Sequence, residues 1–317
     1  MLLNILILIV GFIVLIKGAD IFVDGAKSIA GNFKVSKMLI GLTIVAFGTS
    51  APEFAVSVKS LLSGRGDIVL GNVIGSNILN IALILGVSSL FHSLTVKSNT
   101  VKKEIPFVLL FTCAFSALML DSLFDQGEVN AFLRGDGVVL LMFFAVFVYY
   151  LISMARNKID DDQDEKYLPM VKAFVFTVGG IVAIIFGSNF VVESASHIAA
   201  ELGVSEKMIS LTIIALGTSL PELVTSVAAT RKGEYDIAIG NVVGSNIFNI
   251  GMVIGVPVTF FGAIRTITFN YIDIAVMIAV VIFLFLFALK DYKITRREGL
   301  ILLLMFVIYY SYVIANG

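Results

Sequence analysis

Cysteine, histidine and charge are all scarce in this 317-residue chain. Cys113 is the only cysteine, which excludes an internal disulfide and any metal centre built on thiolates. The two histidines, His92 and His197, fall near the ends of apolar stretches and read as interface residues. Charged side chains make up 14% of the chain and the net charge is −1. No basic cluster points to nucleic acid. An enzyme reading, such as an intramembrane hydrolase, lacks a positioned nucleophile and base, and no cofactor is implied.

What fills the space is hydrocarbon. Apolar residues make up 58% of the chain, and the mean hydropathy is +1.01. A soluble core cannot absorb so much apolar surface, so the chain reads as an all-α integral membrane protein in contact with lipid. No Lys or Arg precedes Lys17, whereas a secretory signal starts with a basic region. The first stretch is therefore expected to stay as a helix. Apolar stretches of spanning length lie near 2–25, 36–63, 67–92, 104–121, 136–154, 170–194, 205–231, 236–262, 271–289 and 297–315, ten in all.

Two motifs occur twice. TIVAFGTSAPE at 43–53 returns as TIIALGTSLPE at 212–222, and GNVIGSNILNI at 71–81 returns as GNVVGSNIFNI at 240–250. Both pairs are offset by 169 residues (212 − 43 and 240 − 71). Residues 1–155 and 170–317 thus form two repeats, joined by an acidic linker at 156–169. Five spans per repeat is an odd number, so the second repeat must enter the membrane from the other side. The basic residues agree. Loops on one side hold sixteen Lys and Arg, Lys158 among them, and loops on the other hold five, including Lys207 and Arg265. The richer side is cytoplasmic, which places the protein in the cell membrane with the linker on the cytoplasmic face and both termini outside. Linker acids Asp160, Asp161, Asp162, Asp164 and Glu165 read as a solvated run, and Pro169 as the start of a helix. Gly64-Arg65-Gly66-Asp67 has the spacing of an intramembrane aspartyl protease motif. It falls in a short loop, and its counterpart, Gly233-Glu234-Tyr235-Asp236, breaks the pattern.

Each first motif puts a Pro-Glu pair inside an apolar span, and an acid at membrane depth marks a functional site. Pro52 and Pro221 free the carbonyls of Gly48 and Gly217 from their helical partners, and Gly48 and Gly217 ease the distortion. Thr49 and Ser50 are expected on one helix face with Glu53. Asn72, Ser76 and Asn80 form a stripe, repeated by Asn241, Ser245 and Asn249, while Asn77 and Asn246 read as helix-bridging amides. Gly71 with Gly75, and Gly240 with Gly244, are expected to let helices approach closely. Asp20 has Lys17 three residues before it and reads as a local ion pair. The donor set around Glu53 and Glu222 is all oxygen, which favours Na⁺, Ca²⁺ or Mg²⁺. Mg²⁺ fits least because it gives up its waters reluctantly. A passive cation channel is disfavoured by two carboxylates that make a deep well.

These two motif pairs resemble the two alpha-repeats of the Ca²⁺/cation antiporter superfamily, in particular its prokaryotic Na⁺/Ca²⁺ exchanger-like members. The resemblance covers nearly the whole chain. It implies electrogenic exchange of three Na⁺ for one Ca²⁺, with Na⁺ and Ca²⁺ as the partners of the protein. It further implies that Glu53 and Glu222 are central ligands and that the carbonyls of Thr49 and Thr218 bind Ca²⁺. The carbonyls of Ala46 and Ala215, with Ser50, Ser76, Ser219 and Ser245, would line the outer Na⁺ positions, with Asn80 and Asn249 at the middle. The first and sixth spans would slide against the other eight. Several relatives, the K⁺-dependent members included, carry Asp where this chain has Asn249, which argues against K⁺ coupling. The proton-coupled branch carries G-N-x-x-E where this chain has Gly75 and Gly244, so H⁺/Ca²⁺ exchange is the alternative reading.

Overall fold

The computed structural model describes residues 1–120, 131–156, 166–204, 209, 212–213, 215–264 and 270–316. The five linker acids, Lys158, Lys207 and Arg265 lie outside these.

The first repeat opens with α1 (Leu2–Phe33). A broken helix follows: α2 (Lys37–Ile40), a π-helical turn at Gly41–Val45, α3 (Ala46–Thr49) and, across a break at Ser50, α4 (Ala51–Leu62). Next come α5 (Gly66–Leu79), a π turn at Asn80–Leu85 and α6 (Gly86–Phe91), then β1 (Leu94–Thr95), α7 (Ile105–Met119) and α8 (Arg134–Arg156). The second repeat runs through α9 (Met170–Glu201), α10 (Ala215–Thr218), α11 (Leu220–Arg231) and α12 (Tyr235–Phe248). It continues with a π turn at Asn249–Ile254, α13 (Gly255–Phe261), α14 (Tyr271–Asp291), β2 (Lys293–Ile294) and α15 (Arg296–Asn316). The elements from α3 to α5 recur as α10 to α12 at the same 169-residue offset as the motifs.

Among the described residues, seven helices are long and apolar enough to cross a membrane. They become eight if the pair Lys37–Thr49 and Ala51–Leu62, bent by 46°, counts as one span. The stretch expected at 104–121 is the 15-residue α7, preceded by a π turn at Thr100–Glu104. The stretch at 205–231 is described only in part. α1 and α9 extend past the expected 25 and 194, to Phe33 and Glu201. In the added turns of α1, polar residues find partners. Ser28 Oγ accepts from Leu168 N–H, and Asn32 Nδ2 donates to the Leu168 carbonyl. As expected, Pro169 caps the start of α9.

Equivalent helices run antiparallel. α1 and α9 lie side by side, with Met1 N paired to Glu201 at 2.9 Å and small residues meeting along the seam. A methyl added at Gly187 would lie 2.7 Å from the Leu15 nitrogen, and one at Gly18 would lie 2.8 Å from Ala183 Cβ. The start of α5 packs at Gly66 against Ile264, beyond the end of α13. The start of α12 lies by the loop after α6, where Lys97 pairs with Asp236 at 2.5 Å. Short antiparallel pairings tie the loops: Leu94 and Thr95 with Ile294 and Lys293 near the Lys97 end, and Phe132 with Ile264 near the Gly66 end.

Lysines gather near the end of α1. Lys27 and Lys37 both pair with Glu234, at 2.8 and 2.9 Å, and Lys232 pairs with Asp24 at 2.7 Å. The local pair expected between Lys17 and Asp20 is replaced. Lys232 Nζ, which takes the Asp20 carbonyl at 2.7 Å, lies 4.0 Å from the Asp20 carboxylate.

The seam between α1 and α9 makes a checkable claim. Gly187→Val is expected to destabilise the protein by about 1–3 kcal/mol through overpacking. Gly179→Ala, where an added methyl meets nothing within 4 Å, should be neutral. Thermal unfolding in detergent, followed by size-exclusion chromatography, compares the two; equal midpoints would contradict the packing.

Candidate cation-binding site

Pro52 and Pro221 occupy the first turns of α4 and α11, where a missing N–H costs nothing. Each break therefore ends one half-helix and starts another. Glu53 and Glu222 stand in the first turn of the new half-helix, at the positive end of its dipole. Both are 1% exposed. Their backbone carbonyls are clamped in the same way in the two repeats. Asn72 Nδ2 donates to the Glu53 carbonyl (3.1 Å) and to Ser57 Oγ (3.0 Å). Asn241 Nδ2 donates to the Glu222 carbonyl (3.3 Å) and to Ser226 Oγ (2.9 Å).

The hydroxyls of Ser50 and Thr218 do not serve the glutamate of their own repeat, as the i, i+3 and i, i+4 spacing suggested. Ser50 Oγ donates to Glu222 Oε1 at 2.8 Å and lies 3.0 Å from Ser245 Oγ. The Thr218 side chain hydrogen-bonds Glu53. Thr49 Oγ1 donates to Asn241 Oδ1 at 3.0 Å. The reason is the break. Ser50 (φ −85°, ψ 5°) leaves the helix at the kink, so its side chain points across to the other repeat.

The remaining candidates fall around this centre. Ser245 Oγ is 3.5 Å from Glu222 Oε1. Ser76 lines a cavity of about 380 Å³ together with Thr218. Asn80 and Asn249 each sit where an α-helix gives way to a π turn, a distortion common at functional sites that spacing alone did not signal. Asn77 bridges helices as expected, accepting from Asn249 Nδ2 at 3.2 Å, whereas Asn246 donates within its own helix to the Val242 carbonyl. The Ala46 carbonyl accepts from Ser50 N–H at 3.0 Å. Ala215 opens α10.

Several buried polar atoms have no hydrogen-bond partner among the described residues: Oε2 of both glutamates, Ser219 Oγ, both amide atoms of Asn80 and Oδ1 of Asn249. Unpartnered oxygens at this depth are costly unless something else satisfies them. No cluster of three or more Asp, Glu, His or Cys occurs among the described residues. The centre is therefore two carboxylates among neutral oxygens, a hard-donor set suited to Na⁺ or Ca²⁺.

Gly48 and Gly217 also make room for α9: an added methyl would lie 2.7 Å from Ile181 Cδ1 at one and 2.3 Å from Val192 Cγ2 at the other. One expectation needs correction: Gly240 and Gly244 do permit close approach, but methyls at Gly71 and Gly75 would meet nothing within 4 Å among the described residues. One contributor was not foreseen. The Gly217 carbonyl, freed by Pro221, accepts from Ser188 Oγ of α9 at 3.0 Å. Its signal lay in the repeat itself, because position 19, 169 residues earlier, is alanine.

Known proteins are similar to this chain in sequence and fold. The family model for the sodium/calcium exchanger protein matches residues 3–153 and 172–315. The sodium/calcium exchanger MaX1 of Methanosarcina acetivorans is 33% identical over 96% of each chain. Inner membrane protein YrbG of Escherichia coli is 36% identical over 81% of this chain and 80% of its own. A solved structure of the sodium-calcium exchanger NCX_Mj, 33% identical, superimposes over 98% of each chain with a TM-score of 0.85. Both repeats of this multi-pass membrane protein are matched, and the chain belongs to the sodium/calcium exchanger family, whose members are transporters rather than enzymes.

Proposed function

We propose that the protein is an electrogenic Na⁺/Ca²⁺ antiporter of the cell membrane that exchanges three Na⁺ for one Ca²⁺ without K⁺. It would have ten spans as two inverted five-span repeats, with both termini extracytoplasmic. Glu53 and Glu222 would hold Ca²⁺ and Na⁺ in turn, helped by the Thr49 and Thr218 carbonyls. Ser50, Ser76, Ser219 and Ser245, with the Ala46 and Ala215 carbonyls, would take the outer Na⁺, and Asn80 and Asn249 the middle. The observation that carries this reading is the pair of carboxylates buried together, each with one unpartnered oxygen and no cation of the protein beside it among the described residues. Two negative charges neutralise one Ca²⁺. Three Na⁺ leave one positive charge, so a full cycle moves net charge. The antiparallel course of equivalent helices supports alternating access. The lysines gathered at one end support the assignment of that end to the cytoplasm.

Removing either charge should stop transport. A carboxylate and a divalent ion about 4 Å apart attract by roughly 8 kcal/mol at an effective dielectric constant near 20, and relief of the repulsion between the two glutamates offsets about half of that loss. Glu53→Gln or Glu222→Gln should therefore weaken Ca²⁺ binding by about a thousandfold, with folded protein still in the membrane. ⁴⁵Ca²⁺ uptake into proteoliposomes measures this, and near-parental uptake by either variant would take the site away from these residues.

Coupling is tested by imposing Na⁺, K⁺ or H⁺ gradients one at a time. Na⁺ alone should drive uphill Ca²⁺ uptake, with choline in place of K⁺, and the rate should respond to an imposed potential. A strict K⁺ requirement, drive by H⁺ alone, or indifference to potential would each overturn the stoichiometry. Topology is tested with Cys113→Ser as background. An impermeant thiol reagent applied to intact cells should label Asn316→Cys and spare Asp162→Cys. The reverse pattern would invert the assignment.

A further inference from the structure

The two repeats differ most where they should be most alike. On the first-repeat side, the cavity of about 380 Å³ runs from Asn72, Ser76 and Thr218 to Asp273 and Tyr309. A second cavity of about 250 Å³ shares Gly71, Gly75, Asp273 and Tyr309 with it and reaches Asp67 and Asn270. Together they connect the α5 face beside the glutamates to the end of the bundle where α5 begins. The bare Gly71 and Gly75 backbone forms part of the wall. On the second-repeat side the same face is shut. Methyls at Gly240 and Gly244 would lie 2.9 Å from Gly41 Cα and 2.7 Å from Ala46 Cβ.

The acids obey the same relation. The counterpart of Asp67 is Asp236 (67 + 169), and that of Asp273 is Glu104 (273 − 169). Beside the open cavity, the Tyr309 hydroxyl donates to Asp273 Oδ1 at 3.0 Å. At the closed end, the Tyr150 hydroxyl donates to Glu104 Oε1, and Glu104 is 0% exposed, its Oε2 without a hydrogen-bond partner among the described residues. Asp236 is there engaged by Lys97. Each repeat thus carries an acid held by a tyrosine, and a second acid in the first turn of α5 or α12. One set faces an open cavity, while at the other end Glu104 is buried and Asp236 is paired with Lys97.

We propose that Asp67 and Asp273 form the mouth by which cations reach Glu53 and Glu222 in this conformation. Glu104 and Asp236 form the matching mouth at the opposite end, closed here and exposed when access alternates. The inference rests on the antiport reading above. Fixed carboxylates at the entrance of a low-dielectric cleft raise the local cation concentration and repel anions. A tyrosine hydroxyl donated to Asp273 and another to Glu104 hold these two acids in place without cancelling their charge.

The first test reads electrostatics without transport. In a Cys113→Ser background, Gly75→Cys places a thiol on the cavity wall. A cationic methanethiosulfonate should modify it about tenfold faster than an anionic one of similar size. Adding Asp67→Asn and Asp273→Asn should bring that ratio down several-fold. A ratio near one in the parent, or a ratio the double substitution leaves unchanged, overturns the outer mouth. The second test reads sidedness in oriented vesicles. Asp273→Asn should raise the half-saturating Ca²⁺ concentration several-fold on the extracytoplasmic side only, and Glu104→Gln on the linker side only. Changes on the same side in both variants overturn the matched pair. If the parent shows no Na⁺-driven flux, the antiport reading fails on its own, and the thiol rates still decide the mouth.

Discussion

Two carboxylates buried at membrane depth, with no lysine or arginine of the protein beside them among the described residues, constrain nearly everything else in the molecule. Charge in hydrocarbon is costly, and two like charges together more so. The structure meets that constraint by surrounding Glu53 and Glu222 with donors and dipoles rather than cations. Each acid sits at the start of a half-helix, each has its backbone carbonyl fixed by an asparagine, and each receives a hydroxyl from the opposite repeat. None of these devices removes the negative charge. All of them keep it in place for a mobile ion.

The breaks at Ser50 and Ser219 follow from the same constraint. A continuous helix would satisfy its own carbonyls and turn its hydroxyls sideways. Proline at the second position of the new half-helix prevents that. The cost is irregular backbone at depth, and α9 offsets part of it. Its Ser188 hydroxyl caps the Gly217 carbonyl, while Ile181 and Val192 press against Gly48 and Gly217. Close packing of α9 on the breaks makes it a neighbour of the site as much as a partner of α1.

Much of this could be read from the chain before any coordinates. The doubled Pro-Glu motifs located the acids, because membrane depth makes a carboxylate too costly to keep without a role. The polar stripe from Asn72 to Asn80 placed the second wall. Three things stayed hidden, each because it depends on backbone geometry or on contacts between repeats. Spacing along a helix suggested that Ser50 served Glu53, but the kink rotates it onto Glu222. The small-residue pairs looked alike, yet only Gly240 and Gly244 meet a neighbour, since the contacts that a glycine makes are set by the facing element and not by its own helix. The π turns at Asn80 and Asn249 leave no composition signal, because they insert a residue into the ladder without changing which residues are apolar.

The crossing of hydroxyls between repeats has a consequence for how such a protein could arise. Ser50 completes the surroundings of Glu222, and Thr218 those of Glu53. A single repeat folded alone would leave its glutamate without these donors and with half the charge needed for a divalent ion. With the repeats inverted as proposed, a half-length ancestor could complete the site only by pairing with a copy of itself inserted the other way up. That requires a sequence with little orientational bias, able to enter the membrane in both directions. The lysines now concentrated at one end are what a fused descendant can carry and such an ancestor could not.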